Sequence, residues 1–444
     1  MKRDIINPLK NWKNSKNRKP LIIRGARQVG KTYTINDFGK KYFTNVVEIN
    51  LEQRKDLKNI FSSLKPLEII NTLSIITGQE IIPGKTLLFI DEIQEDINAI
   101  ISLRYFYEQM PALHVIAAGS LLEFAVNKEK ISFPVGRIDF LFMYPLSFLE
   151  FLEALNKKKL RKFIETISLG DDINPAIELE LTSYLKQYFI IGGMPEAVKS
   201  FSQKYLYTEV SKIQSSILNT YEMDFYKYGF KNENKYLQEV FINVPKIIGK
   251  ICKYSYINPD YQSRDIKKAI LSLQLAGVLK KIKHSSGHKI PLESQSNEKK
   301  FKLLFLDVGL MQKTLGLSLE ITTNNDFMNL NLGNVAEQFI GQELLTENNI
   351  YEKVFLHFWI RDKKSSCAEV DYLVSHNNDI YPLEVKSGKL GKLKSLYLFL
   401  KEHPLSKFGL RFSSQEFSYQ KNVLSLPLYM ISQWRRFCAS IIER

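Results

Sequence analysis

The chain has 444 residues, 44% of them hydrophobic and 25% charged, with a formal net charge of +15. That length calls for several compact units, that balance describes a globular protein, and the basic excess favours a polyanionic partner unless it is ordinary solvated surface. No apolar stretch approaches the roughly 18 residues of a membrane span, residues 2 to 19 do not read as a signal peptide, and Cys252, Cys367 and Cys438 form no C-x-x-C. A cytoplasmic protein without membrane association, disulfide framework or zinc site is therefore expected.

In chain order, the first apolar run, Leu21 to Arg24, reads as a strand, and Gly25-Ala26-Arg27-Gln28-Val29-Gly30-Lys31-Thr32 follows it, with Thr34 to Phe38 ahead as a helix. This is G-x-x-x-x-G-K-[ST] in strand-loop-helix context, the phosphate-binding loop that takes ATP and Mg²⁺. Gly25 and Gly30 let backbone N–H groups converge on phosphate oxygens, Lys31 adds charge at the β/γ-phosphates, and Thr32 offers a hydroxyl to Mg²⁺. Val46 to Asn50 is a second strand. Thr86-Leu87-Leu88-Phe89-Ile90-Asp91-Glu92 is an apolar run ending in two carboxylates, the pattern of a buried parallel strand that delivers acids to its carboxyl end. Asp91 would hold the Mg²⁺ shell and Glu92 would orient the attacking water, so hydrolysis is expected as well as binding. Strands Val115 to Ala118 and Phe140 to Met143 complete an alternation that predicts a parallel sheet over residues 1–145.

Helical periodicity takes over in residues 146–230, and a helical lid fits. In residues 231–332, helix-like segments Leu237 to Phe241, Pro245 to Lys253 and Arg264 to Ala276 precede the basic run Gly277 to Lys283, a polar loop, and the apolar strand Phe301 to Leu306. Three helices and a two-stranded wing predict a winged helix with Arg264, Lys267 and Lys268 on its third helix, where such domains read a DNA groove. The alternative is a helical adaptor.

Residues 333–444 read as a small α/β domain: a helix from Asn334 to Leu345, strands around Val354 to Trp359, Val370 to Val374 and Ile380 to Val385, a helix from Lys392 to Leu400, and strands Phe408 to Phe412 and Leu424 to Met430. Within it Asp371 is followed one hairpin later by Glu384-Val385-Lys386. Glu384 and Lys386 share a strand face. With Glu337 as a third oxygen donor, Asp371 and Glu384 could share Mg²⁺ or Mn²⁺, and Lys386 could polarise water, as metal-dependent phosphodiester hydrolysis requires. The alternative is two strands with charged exposed ends, since E-x-K also occurs at Glu233/Lys235 and Glu298/Lys300.

Taken with Ala118-Gly119-Ser120, Gly136-Arg137, Pro145-Leu146-Ser147-Phe148, Gly192-Gly193-Met194-Pro195-Glu196 and Asp307-Val308-Gly309-Leu310, this order resembles bacterial and archaeal ATPases of the AAA+ type. Those proteins carry a carboxy-terminal domain of unknown function (DUF4143) with a PD-(D/E)xK nuclease-like fold. The resemblance implies an α/β multidomain protein: a P-loop AAA+ parallel sheet, a helical lid, a winged-helix middle domain and a nuclease-like carboxy-terminal domain. It gives Ser120 the place of the polar γ-phosphate sensor, Arg137 that of an arginine reaching a nucleotide, within its own subunit or across a subunit boundary in a homo-oligomer, and Pro195 that of a lid proline near the adenine. No sensor arginine follows Gly193. The expected function is an ATP-hydrolysing machine that associates with DNA and cuts or holds it. The competing expectation is a nucleotide-dependent switch whose carboxy-terminal domain binds a partner without cleavage.

Overall fold

The computed structural model describes residues 1–120, 122, 136–228, 233–316, 325–347, 350–361, 368–386, 388, 393–414 and 417–442, and no side chain for residues 58 and 325–332. They form two compact units, one of Met1–Tyr144 with Leu275–Gly277 and Asn349–Lys353, the other of Pro145–Gln274, Val278–Asn348 and Val354–Arg444.

The first unit is built on five strands: β1 (Leu21–Arg24), β2 (Asn45–Asn50), β3 (Thr86–Asp91), β4 (His114–Ala118) and β5 (Asp139–Phe142). They are parallel throughout, in the order β2-β3-β4-β1-β5. Every residue of β3 and β4 is buried, which is why both read as unbroken apolar runs rather than alternating ones. The helix Ile97–Gln109 starts at Asp96, whose side chain accepts the Asn98 N–H, and buries Ile100, Leu103 and Phe106. These join Ile22, Ile49, Leu88 and Ile90 in one core. Each such side chain contributes about 1.5–3 kcal/mol on full burial. The strand order places β4 between the P-loop strand β1 and the acid strand β3, so the end of β4 enters the same edge as both.

The second unit holds an eight-stranded mixed sheet of β6 (Leu279–Ser285), β7 (Ser296–Phe305), β8 (Leu356–Ile360), β9 (Glu369–His376), β10 (Asp379–Val385), β11 (Gly409–Ser413), β12 (Ser418–Gln420) and β13 (Val423–Pro427). Its order is β12-β13-β11-β10-β9-β8-β6-β7. The expected wing is thus not a free hairpin. β6 and β7 pair with each other, and β6 also runs parallel to β8, so the pair forms one end of the sheet predicted to lie wholly beyond residue 333. The helix expected over Pro245 to Lys253 is likewise a short 3₁₀ turn, Val244–Ile247, after which the chain becomes extended at Ile248. The helices Asn234–Asn243 and Ser263–Leu275 do form.

The helices of residues 146–230 pack on this same unit. Phe148, Tyr188 and Phe189 surround the ring of Phe339, which lies on the helix Asn325–Thr346, with centroids 6.3, 5.8 and 5.3 Å away. A buried polar hub locks them there. The Asp307 carboxylate, fully buried, accepts the N–H groups of Gly193 at 2.6 Å and Leu310 at 3.0 Å. Gln342 donates to the Tyr188 hydroxyl at 2.8 Å, and that hydroxyl donates to the Leu146 carbonyl. Gly192 has φ +74°, and a Cβ there would collide with the Asp307 carboxylate. Gly192 is therefore required by contact with a residue more than a hundred positions away. Among the described residues no helix is long and apolar enough to cross a membrane. Cys252 and Cys438 are buried free thiols, and Cys367 lies outside the described residues.

Candidate functional site

The residues expected to bind nucleotide meet at the carboxyl edge of the parallel sheet. Gly25 adopts φ +156° and packs so tightly that a Cβ would run into the Met143 carbonyl oxygen. Gly30, at φ +92°, starts the helix Lys31–Tyr42. Lys31 is buried and donates to the carbonyls of Gly25 at 2.9 Å and Ala26 at 2.8 Å. Burial pulls its pKa down to about 8, against the opposing pull of Glu92 and Asp91. The Thr32 hydroxyl donates to Asp91 Oδ2 at 2.9 Å, and Asp91 Oδ1 accepts the Glu92 N–H at 3.0 Å. Burial raises the Asp91 carboxyl, an effect partly offset by the Thr32 hydrogen bond.

Glu92 has φ +51°. That left-handed conformation costs a non-glycine residue about 1–2 kcal/mol, a strain that persists where a side chain must be aimed. Its Oε2 accepts from Gln94 Nε2 at 2.6 Å and the Ser120 hydroxyl at 3.4 Å, and Ser120 Oγ accepts from Arg27 Nε at 3.1 Å. Arg27 and Gln94 thus belong to the site. Neither had a role assigned from sequence; the partner of Arg27, Ser120, comes from another strand end. Ser120, two residues beyond β4, is gathered with them.

Arg137 is not gathered there. Arg137 lies two residues before β5, at the opposite edge of the sheet from the P-loop, donates to Glu108 at 3.0 Å and sits over the Tyr107 ring. Pro195 belongs to the second unit, where it opens the helix Pro195–Lys204.

The second cluster assembles on the eight-stranded sheet. β9 and β10 form the expected antiparallel hairpin, and Asp371 Oδ2 accepts the Val385 N–H at 2.7 Å. Lys386 donates to Glu384 Oε1 at 2.5 Å. At the centre stands a residue the sequence reading did not select. Lys302, on β7 and fully buried, has its ammonium 2.8 Å from Glu337 Oε1, 2.5 Å from Glu369 Oε1 and 3.7 Å from Asp371 Oδ1. Its pKa is raised: the three carboxylates outweigh burial, which is the largest single influence and acts to lower it. Glu337 and Glu384 are both raised, first by burial and then by the neighbouring carboxylates, with Lys302 and Lys386 opposing. The signal for Lys302 was present: a lone ammonium inside Phe301-Lys302-Leu303-Leu304-Phe305 cannot be buried without partners.

Three stretches of the chain match family models: residues 17–152 an AAA domain, residues 182–320 a domain of unknown function (DUF8612), and residues 332–430 another (DUF4143). The chain carries an AAA-type P-loop ATPase domain and a DUF4143 domain. The DUF8612 stretch spans the boundary expected at residue 230, in keeping with the single unit seen there. No significant match to a curated protein was found. Among solved structures, the Walker-type ATPase of Pyrococcus abyssi is 13% identical with a TM-score of 0.46, covering 70% of this chain and 95% of that one. The RuvB Holliday junction branch migration motor of Thermotoga maritima is 14% identical with a TM-score of 0.29, covering 63% and 89%. The ORC1 protein of Aeropyrum pernix in complex with DNA is 12% identical with a TM-score of 0.26, covering 72% and 92%. At these scores the likenesses carry no argument.

In the AAA domain the residues fit Mg²⁺ with ATP. A hydroxyl and a carboxylate already in contact are the hard oxygen donors that Mg²⁺ takes alongside nucleotide phosphates. In the DUF4143 domain the expected metal centre does not fit. Among the described residues no group of three or more Asp, Glu, His or Cys side chains is placed to hold a metal ion. The cause is visible in the pairing, because the ammonium of Lys302 stands among the oxygens that Glu337 and Asp371 were expected to offer.

Proposed function

We propose that the chain is a Mg²⁺-dependent ATPase that associates with DNA, and that its DUF4143 domain holds a partner rather than cutting it. The observation that carries the ATPase reading is the 2.9 Å contact between Thr32 and Asp91, with Glu92 next in the chain. It brings the phosphate loop and the acidic strand end together. Thr32 and Asp91 would hold Mg²⁺, which would supply charge neutralisation at the phosphates. Lys31 exchanges the loop carbonyls for phosphate oxygens, and Glu92, anchored by Gln94 and Ser120, orients water and takes up its proton. Ser120 joins Glu92 to Arg27, so a side chain of the phosphate loop and the catalytic carboxylate respond together. Arg137 serves the nucleotide of a neighbouring subunit.

Support for DNA is the +15 charge together with one helix face. On Ser263–Leu275, Ile266, Ala269, Ile270 and Leu273 are buried, while Arg264, Lys267 and Lys268 are exposed. Clustered exposed cations gain free energy by releasing counterions from phosphates.

The test of the ATPase reading is a pair of variants. Lys31→Ala should lose nucleotide binding. Glu92→Gln should bind ATP normally yet hydrolyse it on the order of 10² to 10⁴ times more slowly, the usual loss on removing a general base. Wild-type turnover in Glu92→Gln would sink the assignment.

A further inference from the structure

The geometry points to Lys302 as the built-in cation of the DUF4143 carboxylate cluster: its ammonium takes the place of a divalent metal ion, and the wild-type cluster binds none. The inference rests on the reading of Glu337, Asp371 and Glu384 as one constellation.

An ammonium withdrawn fully from water persists only where carboxylates surround it. Lys302 meets that condition from two elements at once, Glu337 on the helix Asn325–Thr346 and Glu369 with Asp371 on β9. Its ammonium donates to Glu337 Oε1, pairs closely with Glu369 Oε1 and lies 3.7 Å from Asp371 Oδ1, oxygens that a metal ion there would need as ligands. Two further oxygens are also committed: Asp371 Oδ2 to the Val385 N–H and Glu384 Oε1 to Lys386. Glu384 Oε2 is buried without a hydrogen-bond partner among the described residues. An ion that takes about six oxygens would have to compete with both ammonium groups for this cluster.

The chemistry follows from the placement. Metal-dependent cleavage of a phosphodiester needs an ion that activates water and steadies the leaving oxygen. A lysine ammonium can neutralise carboxylates or contact a phosphate, but it does not generate hydroxide. Lys302 comes from β7, outside the helix and hairpin that carry the expected nuclease residues. It also ties the end strand of the sheet to that cluster, so the domain's acidic centre is a structural ion-pair network. Removing the ammonium should leave four carboxylates, Glu337, Glu369, Asp371 and Glu384, with only Lys386 and the cross-strand Arg411 beside Glu384 to balance them, and so create a metal site.

The experiment is a titration of the full chain with Mn²⁺ alone, without nucleotide or DNA, following free Mn²⁺ by electron paramagnetic resonance. Wild type and Asp371→Asn should give superimposable isotherms, whatever Mn²⁺ the P-loop residues take up. Lys302→Met should gain one site at least tenfold tighter than any in wild type, and adding Asp371→Asn should abolish it. Lys302→Gln, which keeps a polar head, should show the same gain if the methionine variant folds poorly. Wild-type binding that depends on Asp371 would overturn the inference by itself, and so would a folded Lys302 variant that gains no site. Because neither ATP nor DNA is present, this outcome is independent of whether the ATPase and DNA readings hold.

Discussion

Replacing Arg137 by alanine should abolish ATP turnover while leaving nucleotide binding intact, and a second inactive variant should restore it. β1 and β5 run parallel with Leu21 opposite Asp139 and Arg24 opposite Phe142, so the P-loop begins where β5 ends. Arg137 precedes β5, and six residues at about 3.3 Å each put it about 20 Å along the sheet from Met143, whose carbonyl abuts Gly25. No arginine side chain spans that distance. The contact with Glu108 is an exposed surface ion pair, so its loss should leave stability nearly unchanged. An arginine supplied across a subunit boundary is worth on the order of 10³ to 10⁵ in turnover. The assay is steady-state ATP hydrolysis by Arg137→Ala, by Lys31→Ala and by their equimolar mixture. In a randomly mixed ring or dimer with head-to-tail sites, a site is competent when its own subunit keeps Lys31 and its neighbour keeps Arg137. That holds for about a quarter of sites, and the mixture should recover about a quarter of wild-type turnover. A mixture no more active than its separate components, or wild-type turnover in Arg137→Ala, would refute the reasoning.

Three further outcomes are expected. Replacing Arg264, Lys267 and Lys268 together by alanine should flatten the dependence of log DNA affinity on log salt by up to about 2.7, at about 0.9 per phosphate contact; fluorescence anisotropy across a salt series measures it, and an unchanged slope would place the contacts elsewhere. Gly192→Ala should destabilise the protein by roughly 2–5 kcal/mol in urea denaturation, combining the left-handed backbone with overpacking against Asp307. Asp307 gives a pH signature. Burial pushes its carboxyl up to about 6 from 3.8, partly offset by the Gly193 and Leu310 N–H groups. A raised carboxyl favours folding below its unfolded value, and that contribution is lost as pH rises through about 6. The stability of wild type relative to Asp307→Asn should therefore fall by roughly 3 kcal/mol between pH 4 and pH 7, from a shift of about two units. A pH-independent difference would exclude the buried carboxylate as its source.

How much of this was legible beforehand varied with distance along the chain. Gly25 to Thr32 is local chemistry, because eight consecutive residues must shape one loop around a phosphate. Asp91 and Glu92 were legible for a related reason: a strand buried on both faces is apolar throughout, and acids at its end stand out. The antiparallel hairpin carrying Asp371 and Glu384 was also local, set by alternation and a short turn. Residues 279 to 305 were read as a wing because hairpin pairing is visible in sequence, whereas the lateral neighbour β8 is not.

The sequence by itself determined which segments become strands and helices, and which residue types can bind a triphosphate, since both are decided by periodicity and spacing within a few residues. Only the tertiary structure decided which remote groups share a cavity. It joined Arg27 to Ser120, brought Asp307 against Gly192 and Gly193, and set Lys302 among Glu337, Glu369 and Asp371. The physical reason is that burial makes charged and polar groups seek partners through space. An isolated lysine in an apolar strand announces that it needs carboxylates, but only strand order and helix packing say which ones it finds.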